Sequence, residues 1–251
     1  MMLKRITCSG ANEYTDAEEL VKVIGSYNKA ELGIQVSGKK GGFGTARYWW
    51  IQTLYLLQYD QARPMDIALH VNSDWVERFC QGDIPEELKK FLDMRRKSGE
   101  PFIGRVQLNF KIGREKTPDL KKLLDAIAEC QGGPQEEKHR FIFSYNEANA
   151  EFINEVYKTG LKFDLLYDNS HGEGIEPEDY PKPVYRNIEQ GYAGGLSPEN
   201  VEAKLWKISK EVPVGFVFNI DAEGRLKGED GHLSLKKCEE YLKKASHWDA
   251  I

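Results

Sequence analysis

The sequence predicts one (β/α)8 TIM barrel spanning residues 1–251. Short apolar runs alternate with longer amphipathic ones eight times, and no linker-like break interrupts the alternation. Alternating strands and helices are typical of a parallel sheet, and eight such units at this length favour a closed barrel. An open doubly wound sheet is the alternative, but neither a G-x-G-x-x-G motif after the first strand nor a P-loop is present.

The predicted elements follow from apolar periodicity and from turn residues. The predicted strands are rich in apolar residues and cover 3–8, 31–37, 66–71, 104–110, 140–144, 163–168, 192–194 and 214–220. The predicted helices have amphipathic spacing and cover 15–27, 48–59, 73–81, 85–97, 117–130, 147–159, 198–210 and 234–245, with a short one at 184–190. Thr15 with Glu18 is expected to form a capping box, and Ser197 is expected to cap the helix that begins at Pro198. Trp49 and Trp50 are expected to be buried against the barrel.

Composition excludes several function classes. The net charge of -5 argues against a nucleic-acid or membrane-surface role, and no apolar run reaches transmembrane length. The four cysteines are far apart, which indicates free thiols in a cytoplasmic protein rather than disulfides or a zinc site. The five histidines are scattered. We therefore expect no metal, no cofactor and a small-molecule substrate as the partner, while the sequence does not reveal the oligomeric state.

In such a barrel, function collects at the carboxyl ends of the strands. Cys8 ends the first predicted strand, Asp168 ends the sixth, and Arg47 follows the second. A thiol and a carboxyl group can act as general base and acid, and an arginine can hold a carboxylate in a fork. Each residue also has a structural interpretation: Cys8 as a small buried hydrophobe, Asp168 as a turn residue and Arg47 as an ordinary surface side chain.

Glycine turns follow the last two strands. Gly194 and Gly195 precede a well-capped helix, and Gly224 follows the eighth strand. Glycine allows a sharp turn and a close approach of an anion to backbone amides, and this fold often binds phosphate here. An ordinary turn between strand and helix is the alternative.

Five stretches, taken in order, resemble phosphoribosylanthranilate isomerase, a (β/α)8 enzyme of tryptophan biosynthesis. The most specific is Tyr-Ala-Gly-Gly-Leu-Ser-Pro-Glu-Asn-Val at 192–201, which is similar to the family's L-(S/A)-G-G-L-N-P-E-N-V. Leu-Leu-Tyr-Asp at 165–168 with His-Gly-Glu-Gly at 171–174 resembles L-L-D with its G-G-x-G loop. Arg-Val-Gln-Leu-Asn at 105–109 resembles V-Q-L-H. Ala-Arg-Tyr at 46–48 resembles S-x-R-Y, and Ile-Thr-Cys at 6–8 resembles K-I-C-G.

The resemblance implies an Amadori rearrangement, in which an aminated aldose phosphate becomes a ketose. Carried over by position, Cys8 would be the general base and Asp168 the general acid. The residues that the resemblance assigns to substrate binding are Arg47, Asn109, His171 and Gly174. Those that it assigns to phosphate binding are Gly194, Gly195, Glu223 and Gly224.

Departures from the family pattern leave two other interpretations open. Glu223 lies where the family has small hydroxyl residues, and its charge is expected to repel phosphate. Asn109 replaces the family's histidine, and the chain is longer than the usual member. A divergent barrel acting on another small ligand, or a non-catalytic binding barrel, is therefore the alternative to the isomerase.

Overall fold

The computed structural model describes residues 1–112, 117–131, 138–168, 176–177 and 179–248. Eight strands form a closed barrel in which each strand pairs with its neighbours in chain order and the last pairs with the first. All eight pairings are parallel. The predicted (β/α)8 fold class is confirmed.

The element boundaries lie within a few residues of those predicted. The strands are β1 (Met2–Ala11), β2 (Ala30–Val36), β3 (Asp66–Val71), β4 (Arg105–Leu108), β5 (Arg140–Tyr145), β6 (Phe163–Tyr167), β7 (Gln190–Ala193) and β8 (Val217–Ala222). The helices are α1 (Ala17–Ile24), α2 (Ala46–Gln58), α3 (Ser73–Phe79), α4 (Glu86–Asp93), α5 (Leu120–Gln131), α6 (Ala150–Lys158), α7 (Val201–Glu211) and α8 (Leu235–Ser246). A 3-10 turn, Gly224–Leu226, follows β8. Among the described residues, no helix is long and apolar enough to cross a membrane.

The outer ring of helices departs from one helix per strand. Both α3 and α4 follow β3, and the described residues between β6 and β7 form no helix. The short helix predicted at 184–190 is wrong: this segment consists of bends and a turn, and Gln190 already belongs to β7. The Gln190 side chain holds the backbone of this segment instead: its Oε1 accepts from the Val184 N–H at 3.0 Å, and its Nε2 donates to the Ile188 carbonyl at 3.4 Å.

Tyrosines take the place of the missing helix. Tyr167 and Tyr192 stack with ring centroids 5.2 Å apart, and the Tyr180 ring meets Tyr192 edge-on at 5.7 Å. The backbone N–H of Val184 donates to the Tyr167 hydroxyl at 2.9 Å. Because aromatic side chains bury large apolar areas, the described part of this segment covers the barrel without forming a helix.

Three local expectations are corrected. Asp16, not Thr15, caps α1, because its carboxylate accepts from the Glu19 N–H at 2.8 Å. Helix α7 begins at Val201 with Asn200 as its N-cap, since residues 198–200 form a turn closed by the Ser197 N–H donating to the Asn200 side chain at 2.8 Å. Trp49 is 54% exposed, whereas Trp50 is buried and its indole N–H donates to the carbonyl of Thr15.

Charged groups fill the lower part of the barrel interior. Arg105 is buried and reaches Glu31 at 2.8 Å and Asp164 at 3.1 Å. Arg140 binds the other oxygen of Asp164 at 2.9 Å, and the Thr7 hydroxyl donates to Glu31 at 2.8 Å. Buried carboxylates are tolerated when cations and donors satisfy them, so this network closes the floor beneath the site.

Candidate functional site

A cavity of about 270 Å³ opens at the carboxyl ends of the strands. Residues from every strand region except β1 line it, and they include three carboxylates, a row of neutral amides and two glycine turns. Active sites of this fold occupy this face. The cavity is therefore the candidate functional site.

Asp221, on β8, is the carboxyl group most altered by its surroundings. Burial and, to a smaller extent, the nearby charges of Glu223, Glu31 and Asp168 together raise its pKa from the ordinary value of 3.8 to about 7. The Ser9 hydroxyl opposes this shift by donating to the carboxylate at 2.7 Å. A carboxyl group with a pKa near neutrality can both give and take a proton at working pH.

Asp168 follows β6 and lines the same cavity as Asp221. Its charge contributes to the raised pKa of Asp221, so the two carboxyl groups interact through the cavity. This places Asp168 where the sequence analysis expects it. Its role as the general acid stays a prediction.

Cys8 is the main correction. Its thiol is fully buried and lies in hydrogen-bond contact with the free Cys238 thiol of α8, so it lies between the barrel and the helix layer. Burial, followed by the contact with Cys238, raises the pKa of Cys8 well above its usual value. A thiol in this position does not line the cavity, and the prediction that Cys8 faces the mouth is wrong.

The alternation of side chains along β1 explains why Cys8 does not face the cavity. Successive side chains of a strand point to opposite faces, and Thr7 and Ser9 make their hydrogen bonds inside the barrel. Cys8 must therefore point outward. Gly33 on β2 leaves room for Ser9, because a Cβ there would lie 2.1 Å from the Ser9 hydroxyl and 2.9 Å from the His70 ring.

Arg47 is also placed differently from the prediction. Its side chain is buried in an ion pair with Glu13, and its Nη1 donates to the carbonyl of Gln35 at 2.9 Å. It does not line the cavity. Arg47 holds the loop after β1 against β2, and the expected carboxylate fork is not formed at this site.

The two glycine turns meet at one end of the cavity. Gly194 and Gly195 have φ values of 102° and 64°, which side chains rarely adopt. Within the described residues, the N–H groups of 194–196 and of Gly224 and Arg225 donate no hydrogen bond. Clustered backbone amides of this kind can receive an anion.

Glu223 lies beside these turns, but its side chain is turned toward β2. Its carboxylate accepts from the Gln35 amide at 2.9 Å and pairs with Lys227 at 3.1 Å. The expected repulsion of phosphate is therefore reduced, because a cation and an amide donor already compensate the charge.

The opposite wall is built from neutral polar side chains. Asn109 accepts from the Gln107 amide at 2.8 Å and donates to Asn72 at 2.9 Å. His70 is 3% exposed, and burial lowers its pKa to about 4, so its ring is neutral. Asn109 lies on the cavity wall as predicted, and its role in substrate binding stays a prediction.

Two candidate residues, His171 and Gly174, lie outside the described residues. Among those that are described, no group of three or more His, Cys, Asp or Glu side chains is arranged to hold a metal ion.

Sequence reasoning did not assign roles to Asp221, Ser9 and His70. The alternation of Asn219 and Asp221 along β8, continued by Glu223 just after the strand, was a usable signal, because alternate residues of a strand share one face. A histidine within the apolar run of β3 was a second signal. For Ser9 there was no such signal, since both faces of β1 are buried.

Comparison with known proteins yields similarity of fold only. No family model and no curated protein matches the chain. The structure is similar to phosphoribosyl anthranilate isomerase from Thermotoga maritima, with 16% identity and a TM-score of 0.55 over 98% of this chain and 100% of that one. The Thermus thermophilus enzyme of the same name has 15% identity and a TM-score of 0.55 over 96% of this chain and 98% of that one. KGPDC from Streptococcus mutans in complex with D-R5P has 12% identity and a TM-score of 0.50 over 96% of this chain and 97% of that one. At these identities the chain shares a barrel fold with these proteins.

Proposed function

We propose that the protein is an acid–base isomerase that converts an aminated aldose phosphate to a ketose. The observation that carries this proposal is the pair of carboxyl groups, Asp168 and Asp221, that line one cavity, with the pKa of Asp221 near 7. In this proposal Asp221 takes the role that the sequence resemblance gives to Cys8.

The chemistry requires four proton transfers. Asp168 first receives the proton that Asp221 holds near neutral pH. Asp168 then protonates the ring oxygen as the bond from C1 to that oxygen breaks, and the nitrogen lone pair forms a C=N bond. The Asp221 carboxylate then takes the proton from C2, which leaves an enol-amine. Loss of the enol proton and protonation at C1 complete the isomerisation with no net change in atoms or electrons. A base whose conjugate acid has a pKa near neutrality suits the second step.

The glycine turns supply the phosphate end of the site in this proposal. Within the described residues, the amides at 194–196 and at Gly224 and Arg225 donate no hydrogen bond, and these residues line the same cavity. The Arg225 side chain adds a positive charge, which it shares with the Glu176 carboxylate at 3.8 Å. The similarity of fold to KGPDC, which binds D-R5P, makes ribose 5-phosphate a suitable probe.

A non-catalytic binding barrel is the second candidate. Exposed aromatic side chains favour it: Trp49 is 54% and Phe43 68% exposed, with ring centroids 6.0 Å apart. Such a patch is typical of a contact with another molecule.

The test is rescue of a tryptophan auxotroph that lacks the isomerase. We expect the wild-type chain and Cys8→Ala to rescue growth, and Asp168→Asn and Asp221→Asn to fail although they are soluble. Rescue by Asp221→Asn, or loss of rescue by a folded Cys8→Ala protein, contradicts the assigned roles. Failure of a well-expressed wild-type chain contradicts the anthranilate substrate.

Phosphate binding is measured separately by thermal shift. Ribose 5-phosphate is expected to raise the melting temperature and free ribose is not, because a ligand that binds only the native state stabilises it. Equal shifts from both compounds would contradict a phosphate site at the glycine turns.

A further inference from the structure

The geometry points to Glu176, in the connection between β6 and β7, as a residue that weakens anion binding at the glycine turns by competing for the guanidinium group of Arg225. This inference rests on the proposed function, because it assigns what sets the affinity of the phosphate end of the site. Glu176 takes no part in the proton transfers proposed above.

Glu176 lies directly against one of the two glycine turns. A Cβ added at Gly195 would lie 3.0 Å from the Cα and Cβ of Glu176 and 3.1 Å from its backbone nitrogen. A side chain at position 195 would therefore push Glu176 away, because packed atoms of the backbone yield little space. The turn itself is fixed, since the Asn200 side-chain amide donates to the Gly195 carbonyl at 2.8 Å. The contact between Glu176 and the turn is thus part of the fold.

The carboxylate of Glu176 bridges two cations that differ in exposure. One oxygen binds the ammonium group of Lys204 on α7, whose side chain is 5% exposed. The other oxygen lies 3.8 Å from Nη2 of Arg225, whose side chain is 48% exposed. A buried ammonium group needs its counter-ion, whereas an exposed guanidinium group exchanges partners at little cost. Lys204 therefore holds Glu176 in place, and Arg225 is the partner that a ligand can take.

Arg225 belongs both to this ion pair and to the cavity. It lines the cavity together with Gly194, Gly195 and Gly224. A phosphate bound at the glycine turns would use the same guanidinium group, because arginine pairs well with phosphate oxygens. Glu176 opposes this binding in two ways: it holds Arg225, and its own negative charge repels the phosphate.

Glu176 carries this charge at neutral pH. The hydrogen bond from Lys204 lowers the pKa of Glu176, and the charges of Lys204, Arg225 and Lys207 lower it further, against the opposing effect of burial. The competition for Arg225 is therefore present throughout the neutral range. A substitution that removes the charge and keeps the shape of the side chain is the direct way to relieve it.

Glu176→Gln tests the competition, because glutamine still offers Lys204 an acceptor but carries no charge. Binding of ribose 5-phosphate to the full chain is measured by isothermal titration calorimetry. We expect the Kd to fall roughly fivefold at low ionic strength and the gain to shrink as salt is added. Glu199→Gln is the matched control: Glu199 is an exposed carboxylate after the same turn, and it interacts with Lys237 and Lys244 rather than with Arg225. Its Kd should change by less than about twofold.

Two further backgrounds show whether Glu176 acts through Arg225. Arg225→Gln alone should raise the Kd, and adding Glu176→Gln to it should give a smaller gain than in the wild type, because coupled residues are not additive. In a Lys204→Gln background no buried ammonium group is left without a counter-ion, so Glu176→Gln is expected to fold there and to give the same gain. A Kd that rises in Glu176→Gln, equal changes for Glu176→Gln and Glu199→Gln, or an undiminished gain in the Arg225→Gln background overturns the inference.

The outcomes are distinguishable from those of the proposed function. Tighter binding by Glu176→Gln in a protein whose wild-type chain fails to rescue the auxotroph supports the inference and contradicts the anthranilate substrate. Rescue by a wild-type chain whose affinity for ribose 5-phosphate is unchanged by Glu176→Gln overturns the inference alone. Absence of binding in the wild type and in every variant overturns both the inference and the phosphate end of the proposed site.

Discussion

Asp164 and Asp221 are both buried aspartates inside one barrel, and their partners make them different. Asp164 is bound by Arg105 and Arg140, which satisfy both of its oxygens. Asp221 receives one hydroxyl, from Ser9, and lies near other carboxylates. The first arrangement closes the floor of the barrel, and the second leaves a carboxyl group with a pKa near 7 at the cavity. Burial alone does not mark a functional residue, whereas burial without a cation does.

The largest expected effect follows from breaking the buried ion-pair network at the floor of the barrel. Arg105→Leu leaves Glu31 and Asp164 buried with fewer partners, and we expect a loss of about 3–5 kcal/mol in the free energy of unfolding. Urea denaturation measures it. Arg225→Leu, a half-exposed change, is the control, and equal losses for the two variants would contradict a structural role for the network.

Replacing Asp221 is expected to raise the free energy of unfolding rather than lower it, and the size of this effect depends on pH. Asp221 in the folded protein holds its proton up to about pH 7, whereas the unfolded chain releases it near 3.8. The free energy of unfolding therefore falls as pH rises through this window, by up to about 4 kcal/mol. Asp221→Asn removes that fall, so the variant should match the wild type near pH 4 and exceed it at pH 8 in urea denaturation.

Over part of this pH range, His70 changes the free energy of unfolding in the opposite direction to Asp221. Its pKa falls from 6.5 to about 4 on folding, so the unfolded chain alone binds a proton between these values and stability rises with pH. The two slopes oppose each other between about pH 4 and 6.5. His70→Gln should therefore expose a steeper fall in stability with pH than the wild type shows, and an unchanged slope would argue against a neutral buried His70.

A smaller loss is expected from closing the space beside Ser9. Gly33→Ala adds a Cβ 2.1 Å from the Ser9 hydroxyl and should cost about 1–3 kcal/mol through overpacking. It also displaces the hydroxyl from Asp221, which removes the contact that lowers the pKa of that group. Gly104→Ala is the control, because its nearest neighbour would be 3.9 Å away. Similar melting temperatures for the two variants would show that Ser9 and His70 repack freely.

The smallest effect comes from the neighbouring charge. Glu223→Gln removes a carboxylate that raises the pKa of Asp221, so that pKa should fall while staying well above 3.8, because burial is the larger cause. A carboxyl-carbon NMR titration of the variant measures it. A rise in the pKa of Asp221 would contradict the assigned interaction.

The sequence predicted the barrel because each element carries its own periodicity; β3 begins and ends at the predicted residues. The site was predicted less well, because it depends on which face of a strand each side chain occupies and on ion pairs between residues that are distant in the chain. Cys8 and Ser9 are adjacent on a strand buried on both sides, so a pattern of apolar and polar residues does not say which one faces inward. Arg47 pairs with Glu13, which is 34 residues away in the chain, and spacing carries no sign of such a contact.

The NMR titration of the Asp221 carboxyl carbon in the wild-type protein tests the central claim most directly. We expect a midpoint near pH 7, which Asp221→Asn removes from the spectrum and Cys8→Ala leaves in place. A midpoint near 4, the ordinary value for an exposed aspartate, would contradict the assignment of Asp221 as the acid–base group of the cavity.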